Sequence, residues 1–342
     1  VQKFLVIQTA FIGDVVLATG LIEKLQAYFP DAQIDFLVRK GNEALLKDHP
    51  FVHEVLVWDK KRHKLRNLWK MGRRIRRNKY DKVINVQRFA ATGLLTVFSG
   101  ARETIGFDKN PLSRFFTIRV PHVVSYKMGT PYDPAGSKDG VLHEVDRNQE
   151  LIRDFTDARP AMPRMYPSPG DRDKVLEYKK LPYITISPAS VWFTKQYPKE
   201  KWISFIDKVS LSLRIYLLGA PSDKELCEHI RSLTSHPAVI NLAGQLSFLQ
   251  SAALMQDAAM NYVNDSAPMH FASAVNAPVT AVYCSTIPSF GFGPLSDKRF
   301  IVEIKEALDC RPCGLHGFKV CPRGHFNCAY RITDEQLLTI LR

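Results

Sequence analysis

Lys3-Phe4-Leu5-Val6-Ile7-Gln8-Thr9-Ala10-Phe11-Ile12-Gly13-Asp14-Val15-Val16 is the stretch that decides the fold class. Phe4 to Ile7 is continuously apolar and ends on two β-branched residues, the pattern of a short strand buried on both faces. A tight turn eased by Gly13 follows, and from Val15 to Phe29 the apolar positions Leu21, Leu25 and Phe29 keep helical spacing. Strand, turn and helix in that order predict a parallel sheet with Asp14 at its carboxyl edge, where open α/β sheets hold ligands. A carboxylate at a helix start has two compatible readings. It caps the helix and offsets its dipole, or it does chemistry.

The same rhythm repeats outward. Gln33–Val38, Val52–Val57, Asp81–Val86 and Arg102–Gly106 read as further strands, with helices over Ala90–Phe98 and His143–Phe155. Between Thr156 and Asp173 four prolines interrupt both kinds of ladder, which places the hinge between Thr156 and Lys180. A second α/β unit begins at Tyr183, with strands at 183–187, 214–218, 239–242, 260–263 and 279–283 and helices between them. Two domains, 1–170 and 171–342, follow from this break, and a chain of 342 residues has the length for them. Met128 to Gly140 reads as a loop, and Thr333 to Leu341 as a final helix.

The charge is concentrated. Lys60 to Lys79 holds eleven Lys or Arg and no acid, which accounts for all but two of the net +13. Leu65, Leu68, Trp69, Gly72 and Ile75 fall on roughly one helical face of that stretch. A solvated charged helix, a nucleic-acid surface and an amphipathic contact with an anionic membrane are its three readings. The last is preferred, because no base-reading module accompanies the cations. No run is long and apolar enough to span a membrane, and the amino-terminal residues lack the pattern of a secretory signal. The expected location is cytoplasmic, peripheral to the inner face of the inner membrane.

Three loops after predicted strands carry candidate chemistry. Ser187-Pro-Ala-Ser190-Val-Trp-Phe-Thr194-Lys195-Gln-Tyr-Pro198 offers hydroxyls and a lysine to a phosphate. Asn264-Asp265-Ser266-Ala267-Pro268-Met269-His270 opens a helix, whose free N–H groups suit a diphosphate. There Asp265 reads as an acceptor for backbone amides of the loop. His270 is either a packing residue or a phosphate donor. Asp223, in Gly219-Ala-Pro-Ser-Asp223, accepts from a ribose or caps its helix. Arg88, after the 81–86 strand, is a candidate contact for an acidic acceptor. Neither a Gly-x-x-x-x-Gly-Lys-Ser/Thr loop nor a Gly-x-Gly-x-x-Gly turn is present, which lowers kinase-like and dehydrogenase readings.

In order, Gln8 to Asp14, Ser187 to Pro198, Asn264 to His270 and the cysteine-bearing tail resemble the ADP-heptose-dependent lipopolysaccharide heptosyltransferases of glycosyltransferase family 9. The resemblance covers nearly the whole chain. It implies a GT-B architecture, two facing Rossmann-like domains, with acceptor and catalytic base in 1–170 and nucleotide sugar in 171–342. It implies inverting, metal-independent transfer of heptose from ADP-L-glycero-β-D-manno-heptose to the lipopolysaccharide inner core. Asp14 matches the family's catalytic carboxylate and Lys195 its phosphate-contacting lysine. Asp265, Ser266 and His270 match the diphosphate turn, with Ala267 where the family commonly has Gly, and Asp223 maps to the ribose-contacting position. The alternatives are a nucleotide-sugar transferase with another acidic glycolipid acceptor, and a basic nucleic-acid-binding protein.

Cys310-x-x-Cys313, Cys321 and Cys328 supply enough thiols for tetrahedral zinc, with His316 and His325 nearby. A structural or redox-sensitive tail is the preferred reading. Structural zinc stays open, and no cofactor is expected for the reaction.

Overall fold

The computed structural model describes residues 1–124 and 142–341, so the loop expected at 128–140 lies outside the described residues. The chain forms two compact units, one of Val1–Val123 with Glu144–Tyr166, the other of Pro167 onward together with Val124, Leu142 and His143.

The first unit contains β1 (Lys3–Ile7), α1 (Ile12–Tyr28), β2 (Gln33–Arg39), β3 (Glu54–Trp58), α2 (Lys64–Asn78), β4 (Lys82–Asn85), α3 (Ala90–Val97), β5 (Glu103–Phe107), β6 (Ile118–Val120) and α4 (Glu144–Glu150). Its sheet runs β3-β2-β1-β4-β5-β6 with every pair parallel. Phe4 to Ile7 is fully buried, as an interior strand covered on both faces must be. The helix after it starts three residues earlier than the apolar spacing predicted. Gly13 takes helical backbone, and Asp14 is the third residue of α1 rather than part of a turn before it. Most of α1 is buried, and Gly20 lies so close to the Ala161 carbonyl that a Cβ would sit 2.6 Å from the oxygen.

The second unit contains α5 (Pro169–Val175), β7 (Tyr183–Ser187), α6 (Lys199–Ile206), β8 (Arg214–Leu217), α7 (Lys224–Leu233), β9 (Val239–Asn241), α8 (Phe248–Gln256), β10 (Met260–Asn264), α9 (Ala267–Ala274), β11 (Val279–Tyr283), β12 (Arg299–Glu303), α10 (Asn327–Tyr330) and α11 (Asp334–Leu338). The sheet order is β12-β11-β10-β7-β8-β9, again parallel throughout. Counted within its own unit, each sheet has the doubly wound order 3-2-1-4-5-6. Two such Rossmann-type sheets in one chain are the GT-B-like fold that the resemblance implied.

Some elements depart from expectation. β6 and β12 are edge strands that the apolar pattern did not announce; β6 has only three residues, and β12 is flanked by charge at Arg299 and Glu303. Pro169 does not interrupt a helix but starts one, because a proline at the first position loses no helical hydrogen bond. Ser168 and Asp171 close a capping box around it. The helix expected at 143–155 is α4 followed by a separate 3₁₀ turn. Among the described residues, no helix is long and apolar enough to cross a membrane.

Candidate functional site

In a doubly wound sheet the connections leave the first and fourth strands in opposite directions, which opens a crevice at their carboxyl ends. In the second unit those strands are β7 and β10. Ser187 ends β7, buried, with a hydroxyl that has no hydrogen-bond partner. Asn264 ends β10, and its side chain ties the two loops together. Its Oδ1 accepts from the Tyr197 amide at 2.9 Å and its Nδ2 donates to the Pro188 carbonyl at 2.8 Å. In the sequence Asn264 is one member of a motif, with nothing that marks this tying role.

The next residue is the electrostatic centre of the crevice. Asp265 accepts from the Thr286 hydroxyl at 2.6 Å and pairs with the Lys195 ammonium at 2.7 Å. Its partners are thus side chains from the two neighbouring strand ends, not the loop amides that the sequence reading expected. An ammonium has three donors, so Lys195 can keep Asp265 and still donate to an anion. Ser266 is the N-cap of α9 and does not cap it with its side chain. Pro268 has no N–H and the Met269 amide donates to the Ser266 carbonyl. The donor array is therefore narrower than a free helix start, and the amides of the half-buried Ser266 and Ala267 are its candidate donors. Ala267 is the first residue of α9, a helical position where alanine's methyl brings no strain.

His270 is buried in α9 and its Nδ1 has no partner. Burial chiefly, with lesser contributions from His143 and Lys195, holds its pKa down to about 3, so the imidazole is neutral at working pH. Thr194 is buried, with a hydroxyl that accepts from the Phe318 amide at 2.7 Å. Ser190 is half-buried, and its carbonyl accepts from Gln196. The Asp223 carboxylate accepts from the Ala220 amide at 2.8 Å, so its capping use is visible in the geometry.

In the first unit the corresponding strands are β1 and β4. Gln8 and Gln87, both buried, bond to each other at 2.5 Å across their ends, and Thr9 also donates to Gln87. Lys60 reaches in from beyond β3 and donates to the Thr9 hydroxyl at 2.6 Å and to its carbonyl at 3.0 Å. Burial, then repulsion from Arg39, lowers the Lys60 pKa to about 8. Asp14 stands half-buried in the first turn of α1, where the helix dipole favours a carboxylate. Arg88 is exposed one residue beyond Gln87. Thus Asp14, Lys60 and Arg88 are all placed at the carboxyl edge of one sheet. Lys60 escapes sequence reasoning because it stands in a run of eleven cations with nothing to mark the half-buried one.

The sequence profile of glycosyltransferase family 9 (heptosyltransferase) matches residues 68–315, more than half of the chain. The chain belongs to glycosyltransferase family 9. It is accordingly a transferase. Relatives include lipopolysaccharide heptosyltransferase 3 of Escherichia coli, 25% identical over 284 residues, covering 81% of this chain and 82% of that protein. Lipopolysaccharide heptosyltransferase 2 of Escherichia coli K12 is 24% identical and covers 89% of this chain and 88% of its own length. Among solved structures, the family 9 protein of Veillonella parvula superposes with a TM-score of 0.81 at 22% identity, over 99% of this chain and 97% of that one. The Escherichia coli ADP-heptose heptosyltransferase II gives 0.78 at 22% identity, over 99% and 98%. At these identities the structural likeness speaks for the fold.

This family 9 chain braces its lysine loop with the cysteine-bearing tail. The Thr194 amide donates to the Phe318 carbonyl at 3.1 Å, and the Cys313 amide to the Ser285 carbonyl at 3.0 Å. Ser285 in turn bonds to the Thr194 hydroxyl at 3.0 Å. Gly317 has φ +75°, and a Cβ there would stand 2.9 Å from Thr194 Oγ1 and 3.0 Å from Lys195 Cγ. Arg311, buried, donates to the Cys284 and Thr286 carbonyls and pairs with Glu303 at 2.7 Å, fixing the segment from which Thr286 reaches Asp265. All six cysteines are free thiols. Burial chiefly raises Cys313 to about 11 and Cys328 to about 12, so both are protonated at neutral pH. Among the described residues, no group of three or more His, Cys, Asp or Glu is disposed to hold a metal ion.

Proposed function

We propose that this protein transfers heptose, with inversion, from ADP-L-glycero-β-D-manno-heptose to the inner core of lipopolysaccharide, at the cytoplasmic face of the inner membrane. The observation that carries the reading is the Lys195–Asp265 pair beside the start of α9 at Ser266 and Ala267, in a chain of family 9. Its relatives, which include ADP-heptose and lipopolysaccharide heptosyltransferases, support the donor and acceptor classes.

In this reading 171–342 is the donor domain and 1–170 the acceptor domain. The Asp14 carboxylate takes the proton of an acceptor hydroxyl as its oxygen bonds to the anomeric carbon. The bond from that carbon to the diphosphate oxygen breaks on the opposite face, and its electron pair leaves with ADP. Lys195 and the two amides meet the charge that grows there, a task that divalent ions perform in other sugar transferases. Asp265 aims Lys195, and Thr194 acts through the same loop. His270 is neutral and so serves as a hydrogen-bonding or packing group. Ser187, Ser190 and Asp223 complete the donor side, while Arg88 and Lys60 face the anionic groups of the acceptor.

The test is a transfer assay that pairs ADP-heptose with defined core acceptors, read by product mass and linkage. A heptosylated core with inverted anomeric configuration is expected. Transfer only to a different acidic glycolipid, or only from a different nucleotide sugar, would replace this substrate assignment.

A further inference from the structure

α2 carries seven Lys or Arg and no acid, and among the described residues only Arg74 pairs with a carboxylate, Glu54. A lone amphipathic helix would use Leu65, Leu68, Trp69 and Ile75 as one apolar face. The fold divides them. Ile75 and Met71 are turned into the core against Leu5, Leu37 and Val83, whereas Leu65 and Trp69 stay 82% and 61% exposed. α3 supplies what α2 has lost. Its Leu94 and, at its end, Phe98 are 38% and 60% exposed. Together the two helices wall an apolar groove of about 500 Å³, lined by Leu65, Leu68, Trp69, Leu94, Leu95 and Phe98. Arg73 stacks 3.5 Å over the Trp69 ring, and Arg76 stands along the groove.

An exposed apolar patch rimmed by charge marks an interaction site. A second copy of the chain would bring the same unpaired cations together, which opposes self-association. Nucleic acid would satisfy the cations, but it leaves the leucines without a partner, and Arg73 already covers one face of the Trp69 ring. A bilayer with anionic head groups satisfies both halves. The geometry points to the α2–α3 groove as the surface that docks this protein on an anionic phospholipid bilayer. Leu65, Trp69 and Phe98 enter below the head groups, and Arg73, Arg76 and the neighbouring cations meet the phosphates. α3 begins beside Arg88 at the candidate acceptor edge and ends at Phe98, so a docked groove lies about 12 Å, one eight-residue helix, from that edge. The inference deepens the reading of a membrane-borne acceptor and rests on it for its purpose, though not for its geometry.

Co-sedimentation with phosphatidylglycerol–phosphatidylcholine vesicles, against phosphatidylcholine alone, tests it without any sugar present. The wild type is expected to bind the anionic vesicles and to keep part of that binding at about 0.5 M salt, where head-group attraction is largely screened. L65S/W69S/F98S, which changes only exposed side chains, loses the salt-resistant part. R73Q/R76Q loses about fivefold in low-salt affinity for each cation removed. The blue shift of tryptophan emission on adding vesicles is smaller in Trp69→Phe, a variant that leaves the fold alone. Wild-type binding by the apolar triple variant in high salt overturns the inference. So does binding of single-stranded RNA, or self-association, that depends on these residues while vesicles are ignored. The triple variant still transfers to a water-soluble acceptor fragment. If transfer fails while vesicle docking holds, the catalytic reading falls and the docking surface stands.

Discussion

Lys60 sits at the point where burial and chemistry conflict. Its ammonium is held at Thr9 with a pKa near 8, lowered first by desolvation and then by Arg39. Below that value it is charged and can meet an anionic acceptor, and as pH rises through 8 the cation disappears while arginines nearby keep theirs. Turnover per unit of acceptor, kcat/KM, is therefore expected to fall above pH 8. In Lys60→Arg the plateau should extend past pH 9, and coincident profiles for the two proteins would remove Lys60 from the acceptor site. Which cation of a basic run is drawn in from solvent depends on the strand ends around it, so composition alone does not single this one out. Asp265 teaches the same lesson in reverse. Its motif was legible, but its partners, Thr286 and Lys195, lie 21 and 70 positions away, and only the parallel pairing of β7, β10 and β11 brings them to it.

The tail behaves as a brace for the Thr194–Lys195 turn, and its tightest point is Gly317. A side chain there must fit a left-handed backbone and displace Thr194 and Lys195. Backbone strain of this kind costs on the order of 1–3 kcal/mol. If the turn yields instead of the tail, Gly317→Val should weaken ADP binding about tenfold, equivalent to about 1.4 kcal/mol. Calorimetric titration with ADP measures this, and an unchanged affinity would mean that the tail does not place Lys195. Elements of this size divide sharply in legibility. Phe4–Ile7 and Tyr183–Ser187 are central strands buried throughout, and their sequences say so. The edge strands β6 and β12 are not legible in the sequence, because an edge strand meets solvent and needs no continuous apolar run. Pro169 reads as a breaker in sequence, because the effect of a proline depends on whether it starts a helix or interrupts one.

Across the whole molecule, three desolvated histidines shape the response to acid. Burial holds His49 and His122 at about 4 and His270 at about 3, against about 6.5 in an unfolded chain. The unfolded state therefore binds more protons between pH 6.5 and 4, so stability falls as pH drops through that window. The urea midpoint should decline over this range, with a slope shallower by roughly a third in His49→Leu. A flat midpoint from pH 7 to 4.5 would contradict these assignments. At this scale the two-sheet architecture was readable in the sequence, because each half repeats strand and helix around an apolar first strand. The division of labour between halves rests on the reaction proposed for them. That reaction needs an Asp14 carboxylate from one unit and a diphosphate site from the other to act on one substrate pair. The most direct measurement is single-turnover transfer by Asp14→Asn with ADP-heptose and a lipid-linked core acceptor, alongside ADP affinity. A loss of about 10²–10⁴-fold in rate with ADP binding intact is expected for a missing general base, and wild-type transfer by this variant would contradict the account.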